Sequence, residues 1–179
     1  MVGDAIWYEA AYVVGITNAL NVAADGLAGL PTVTALLPLV SEGSGAPEVA
    51  ALFKEIREFY ARPDVPPVFR FLARDPRYAA DVWGAARRAF DDNRLSRRLK
   101  ESLAFAVSVT TRSEWGSAFH LEEMRRLGVG EGGIMEVIGV TQMFSSYTKI
   151  ADTLQLEPDM GDIAPADESP APGAPPRRR

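Results

Sequence analysis

The spacing of the apolar residues constrains the fold of this chain more than any other sequence feature. In the segment 47–61, Val49, Leu52, Phe53 and Ile56 lie on one side of a helix, and charged residues cover the other side. Apolar residues recur at similar spacings of three and four residues in the segments that follow. No stretch shows the sustained alternation of apolar and polar residues that a half-buried strand requires. The sequence therefore predicts an all-α fold.

Proline, glycine and composition divide the chain into four parts. Residues 1–30 contain an alanine-rich helix, which we interpret as an interface helix or as the remnant of an earlier repeat. Residues 31–46 are predicted to be a connecting loop, and residues 47–156 a helical domain. Residues 157–179 hold six of the thirteen prolines and almost no large apolar side chains. Such a segment buries too little surface to offset its chain entropy, so we expect a disordered tail.

Composition excludes several classes of function. The formal charge of −5 argues against a general nucleic-acid-binding protein, which normally has a basic face. The chain has no cysteine and one histidine, so no thiolate chemistry, no zinc site of the usual type and no other metal site is expected. The N-terminus has no basic signal region, and the uncharged run near it is too short to span a membrane. We therefore expect a cytoplasmic protein without membrane contact.

Glu101 and His120 are the candidates for acid–base chemistry. A carboxylate and an imidazole that two packed helices bring together are able to pass protons at neutral pH. Two structural alternatives stand beside this hypothesis. His120 has apolar neighbours in the sequence and is also compatible with a packed core histidine. Glu101 has the i, i+4 spacing of a surface ion pair with Arg97, and Ser113 is placed to cap a helix.

Three stretches of the chain carry a resemblance to a known family. They are LFKEIREFYARPDVPPVFRFLARDPRYAADVW, NRLSRRLKESLAFAVSVTTRSEWGSAFHLEEMRRLGVGEGGIMEVIGV and SSYTKIADTL. From about Val49 to Glu157 the chain resembles the carboxymuconolactone decarboxylase and alkylhydroperoxidase D superfamily. The resemblance implies an AhpD-like bundle of about six to seven helices. A shorter stretch, Val49 to Trp83, also resembles the DehI-type haloacid dehalogenases.

The resemblance implies roles for particular residues. The family glutamate falls on Glu101 and the family histidine on His120, whereas the two cysteine positions of the peroxidase branch fall on Ser113 and Gly116. Attack on a peroxide needs a thiolate, so we expect the peroxidase activity to be absent. The decarboxylase branch implies proton delivery by His120, with Glu101 holding its ring. Ser113, Arg112 and Trp115 are then the expected substrate-binding residues, and no cofactor is expected.

Two functional hypotheses follow from this resemblance. The first is a cysteine-independent, decarboxylase-like lyase that acts on a small carboxylated or lactone-like substrate through acid–base chemistry. The second is a family member that binds a ligand or a partner without catalysis. In either case the resemblance implies a homo-oligomer, a trimer or a hexamer, and the apolar N-terminal helix offers an extra interface.

Overall fold

The structure is a computed structural model that describes residues 3–27, 38–43 and 46–156. Within those residues it contains seven helices and no strand, which confirms the predicted all-α fold. The helices are α1 (Gly3–Leu27), α2 (Pro47–Tyr60), α3 (Pro67–Leu72), α4 (Pro76–Phe90), α5 (Arg97–Thr111), α6 (Glu114–Arg126) and α7 (Glu131–Leu154). The predicted tail and most of the predicted connecting loop lie outside the described residues. The described residues up to Ser145 form one compact unit, and the end of α7 belongs to another.

The core of the first unit is formed by the apolar faces that the spacing predicts. Its largest cluster joins α2, α3 and α4 around the rings of Tyr60, Phe69 and Trp83, of which Phe69 and Trp83 pack edge to face. Leu20 of α1 and Phe119 of α6 complete this cluster. Helices α1 and α6 therefore pack against the side of the α2–α4 layer, and α5 packs beside them.

Local sequence signals begin and end these helices. Pro47, Pro67 and Pro76 each occupy a first helical turn, where the missing N–H has no intrahelical partner to lose. Ser96 caps α5 through a hydrogen bond from the Leu99 N–H. After α6, Gly128 has a φ of 80°, and the bonds Gly128 N–H to Arg125 O and Val129 N–H to Met124 O form a Schellman motif.

Asp75 is the clearest single cap, because its Oδ1 accepts hydrogen bonds from both the Arg77 and the Tyr78 N–H groups at 3.1 Å. Replacing Asp75 by alanine is expected to lower the free energy of unfolding by about 1 kcal/mol, the usual cost of losing a side-chain cap. Urea unfolding followed by circular dichroism measures it. Asp75→Asn is the control, since an asparagine side chain caps nearly as well, and an equal loss in both variants would contradict the prediction.

Candidate functional site

The turn between α5 and α6 brings Glu101 and His120 together. Arg112 ends α5 in the left-handed conformation, with a φ of 60°, and Ser113 begins α6 at once by accepting a hydrogen bond from the Gly116 N–H at 3.0 Å. Because the turn is this short, the two helices pack side by side. The Glu101 Oε2 and His120 Nδ1 atoms are 2.7 Å apart. Both side chains are buried.

Arg97 holds the other oxygen of the Glu101 carboxylate. Its Nε donates to Glu101 Oε1 at 2.7 Å, and its Nη2 lies 3.5 Å from Glu123 Oε2. The guanidinium also stacks on Phe59, 4.2 Å from the ring centroid. Arg97 and Glu101 therefore form the ion pair that their i, i+4 spacing suggested. This pair lies inside the protein, and Glu101 also bonds to His120. Glu101 is thus buried, and it bonds to Arg97 and to His120 at the same time.

Aromatic rings enclose the imidazole of His120. Phe90 stacks on it at a centroid distance of 5.7 Å, and Phe119 meets it edge-on at 5.3 Å. An ionised Glu101 only accepts hydrogen bonds, so the proton of the short contact lies on His120 Nδ1. The second ring nitrogen, Nε2, is buried and has no hydrogen-bond partner. Nε2 and the Arg97 Nη2 atom are the buried atoms of this network that lack a hydrogen-bond partner.

The buried charges change the acidity of the groups around them. Burial by itself would raise the pKa of Glu101, but the hydrogen bond and charge of His120, together with Arg97, hold that pKa below its usual value. Burial raises the pKa of the nearby Tyr60 phenol, and the negative charge of Glu101 raises it further. Glu101 is therefore an anion at neutral pH, and Tyr60 stays protonated.

The other predicted site residues are placed differently. The Ser113 hydroxyl is already used, since it accepts from the Gly116 N–H and donates to Asp25 Oδ1 at 3.1 Å. Arg112 is exposed at the far end of α5, about three turns from Glu101. Trp115 stacks on Phe119, and that ring lies between it and His120. The structure brings Glu101 and His120 together, while Ser113, Arg112 and Trp115 form no polar cluster around them.

Helix α1 contributes a residue that the sequence interpretation missed. Asn21 is buried, and its Nδ2 donates to Ser108 Oγ at 3.1 Å and to Thr111 Oγ1 at 3.3 Å. Its Oδ1 lies so close to Gly116 that a Cβ atom there would be 2.2 Å away. An asparagine in the interior of an alanine-rich helix was the available signal, because a polar side chain on a buried face needs partners.

The geometry of the Glu101–His120 pair suits proton transfer. Among the described residues, no group of three or more histidine, aspartate or glutamate side chains is arranged to hold a metal ion. The Glu101–His120 pair has the parts of a general acid–base site, namely a carboxylate that orients the ring and a second ring nitrogen without a partner. None of the helices that the structure describes is long and apolar enough to cross a membrane.

Comparison with solved structures identifies the class of fold. The structure is similar to the crystal structure of the alkylhydroperoxidase AhpD core from Rhodospirillum rubrum, with a TM-score of 0.66 and 23% sequence identity. The match covers 70% of this chain and 94% of that chain. The fold is therefore that of the AhpD-like all-α proteins, as the resemblance implied.

A family model matches part of the chain. Residues 76–156, the segment from α4 to beyond the end of α7, match the model of the carboxymuconolactone decarboxylase family. The match includes both Glu101 and His120. No protein of curated function matches the chain.

Proposed function

We propose that this protein is a cysteine-independent acid–base enzyme of the carboxymuconolactone decarboxylase type. The observation that carries the proposal is the unpartnered Nε2 atom of His120 in a ring that Glu101 fixes through Nδ1. A buried polar atom without a partner costs stability, so its persistence calls for a role. Delivering a proton to a bound substrate is such a role.

The proposed chemistry is loss of carbon dioxide from a small carboxylated or lactone-like substrate. The carbon–carbon bond to the carboxylate breaks, and its electron pair passes into the conjugated system as an enolate. His120 Nε2 then gives its proton to that carbon, while Glu101 stabilises the imidazolium before transfer and orients the ring throughout. Substrate binding by Ser113, Arg112 and Trp115 stays a prediction.

Replacing His120 by glutamine tests this proposal. Glutamine keeps a polar side chain for Glu101 but cannot deliver a proton, so we expect carbon dioxide release from a carboxylated lactone to fall by about 10² to 10⁴-fold. Glu58→Gln, on the exposed face of α2, is the matched control and should keep full turnover. Unchanged turnover in His120→Gln, with the native circular dichroism spectrum retained, would eliminate the catalytic role.

A second candidate is a family member that binds a ligand or a partner without catalysis. The observation in its favour is the enclosure of the pair, since Glu101 is 0% and His120 1% exposed. The same experiment separates the two candidates. Wild-type protein that binds the carboxylated lactone without releasing carbon dioxide, and binds it equally well after His120→Gln, supports this second function.

Self-association agrees with the distribution of exposed apolar residues. Trp7 and Tyr8 on α1 are 75% and 77% exposed, and Val140 and Phe144 on α7 are 60% and 66% exposed. Large exposed apolar groups that lie together on a helix are typical of protein–protein interfaces. The homo-oligomer, whether trimer or hexamer, stays a prediction.

A further inference from the structure

Glu123 is a second buried carboxylate beside the Glu101–His120 pair, and the proposed chemistry does not use it. It is 1% exposed and lies three residues after His120, so both side chains are on the same face of α6. Its Oε2 accepts a hydrogen bond from Arg126 Nη2 at 2.6 Å and lies 3.5 Å from Arg97 Nη2. A buried carboxylate is costly unless it is paired, and Glu123 is paired with these two guanidinium groups.

The guanidinium of Arg97 is divided between two carboxylates. Its Nε and Nη2 atoms form one fork, and such a fork frequently binds both oxygens of a single carboxylate. Here Nε donates to Glu101 Oε1 at 2.7 Å, whereas Nη2 has no hydrogen-bond partner and lies beside Glu123. The Oε2 atom of Glu101 is therefore left for His120 Nδ1, which lies 2.7 Å away.

We propose that Glu123 is a positioning residue for the acid–base pair. Its charge holds the Nη2 atom of Arg97 away from Glu101, so that Glu101 Oε2 stays bonded to His120. Among the described residues, Glu101 and Glu123 are the two carboxylates with which Arg97 forms ion pairs. Without the charge of Glu123, Nη2 is drawn to the remaining carboxylate and competes with the imidazole for Oε2. The consequence for catalysis rests on the proposed function, whereas the effect on the Glu101–His120 bond does not.

Nuclear magnetic resonance of the single histidine tests this role. The Nδ1 proton of His120 is strongly deshielded while it bonds to a carboxylate, and no other histidine of the full chain overlaps with it. Glu123→Gln keeps the shape of the side chain but removes its charge, so we expect this resonance to move upfield as the bond to Glu101 weakens. Glu122→Gln is the matched control, because Glu122 is the neighbouring residue and pairs with Arg62 at the surface. It should leave the resonance at the wild-type position.

A second background shows whether Glu123 acts through Arg97. In Arg97→Met nothing competes for the Oε2 atom of Glu101, and a methionine side chain fills the space over Phe59. Adding Glu123→Gln should therefore leave the resonance where it is in Arg97→Met alone. A shift of equal size in both backgrounds overturns the proposal, because Glu123 then acts on the imidazole directly. An unchanged resonance in folded Glu123→Gln overturns it as well.

A further variant keeps the test decisive if Glu123→Gln does not fold. Glu123→Asp retains the charge, but its carboxylate ends one methylene farther from Arg97. A smaller upfield shift is therefore expected, and the wild-type position would contradict the proposal. This readout needs no turnover. An upfield shift in a protein that releases no carbon dioxide from a carboxylated lactone supports the role of Glu123 and refutes the proposed enzyme activity.

Discussion

Replacing Glu101 by leucine is expected to lower the free energy of unfolding by about 3–5 kcal/mol. The carboxylate bonds to Arg97 Nε and to His120 Nδ1, and the Arg97 side chain is only 11% exposed. Its removal leaves the guanidinium buried without its hydrogen-bonded partner, and breaking a buried pair on one side costs far more than the pair contributes as a whole. Urea or guanidinium unfolding measures the loss.

The exposed pair of Lys54 and Glu58 provides the control for this prediction. It has the same i, i+4 spacing, but both side chains are well exposed, so Glu58→Leu should change stability by no more than about 0.5 kcal/mol. A loss of similar size in both variants would mean that the buried network contributes no more than a surface ion pair.

The same network sets the acid sensitivity of the fold. Because the pKa of Glu101 is lower in the folded protein, its ionised form stabilises the protein above the unfolded-state value of about 4.3. That contribution is lost as the pH falls through the lowered pKa. The stabilities of wild type and Glu101→Gln should therefore differ at neutral pH and converge below about pH 4. A difference in stability that stays constant across this pH range would contradict the lowered pKa of Glu101 in the folded protein.

Replacing Gly116 by alanine is expected to cost about 2–3 kcal/mol of stability. A Cβ atom at this position would lie 2.2 Å from Asn21 Oδ1 and 2.6 Å from Ser108 Oγ, so the helices must separate or the two side chains must move. The intrinsic preference of alanine for helices offsets only part of this cost. Thermal and denaturant unfolding measure the change.

A double-mutant cycle assigns this cost to the contact between Asn21 of α1 and Gly116. In an Asn21→Ala background the atom nearest to the new methyl group, Asn21 Oδ1, is gone, so Gly116→Ala should be less destabilising there by about 1 kcal/mol. Gly139 of α7 has open space around it, and Gly139→Ala should be neutral or stabilising. Strict additivity of Asn21→Ala and Gly116→Ala would show that the two residues are not coupled.

Local signals in the sequence determined the helices, because each depends on residues close together in the chain. Pro47 and Pro76 lie in the first turns of α2 and α4, Ser96 caps α5, and Gly128 follows the end of α6. The resemblance also named Glu101 and His120 as a pair. Their contact needs only the short turn between two adjacent helices, which is a local feature as well.

Only the tertiary structure decided what surrounds this pair. Arg97 has the spacing of a surface ion pair, and no local signal shows that packing against Phe59 would enclose it. Asn21 and Gly116 are far apart in the chain, so their fit depends on how α1 docks against α6. The sequence determined the helices and the two residues that face each other across a turn. The docking of α1 against α5 and α6 arises from contacts between distant residues that local periodicity does not encode.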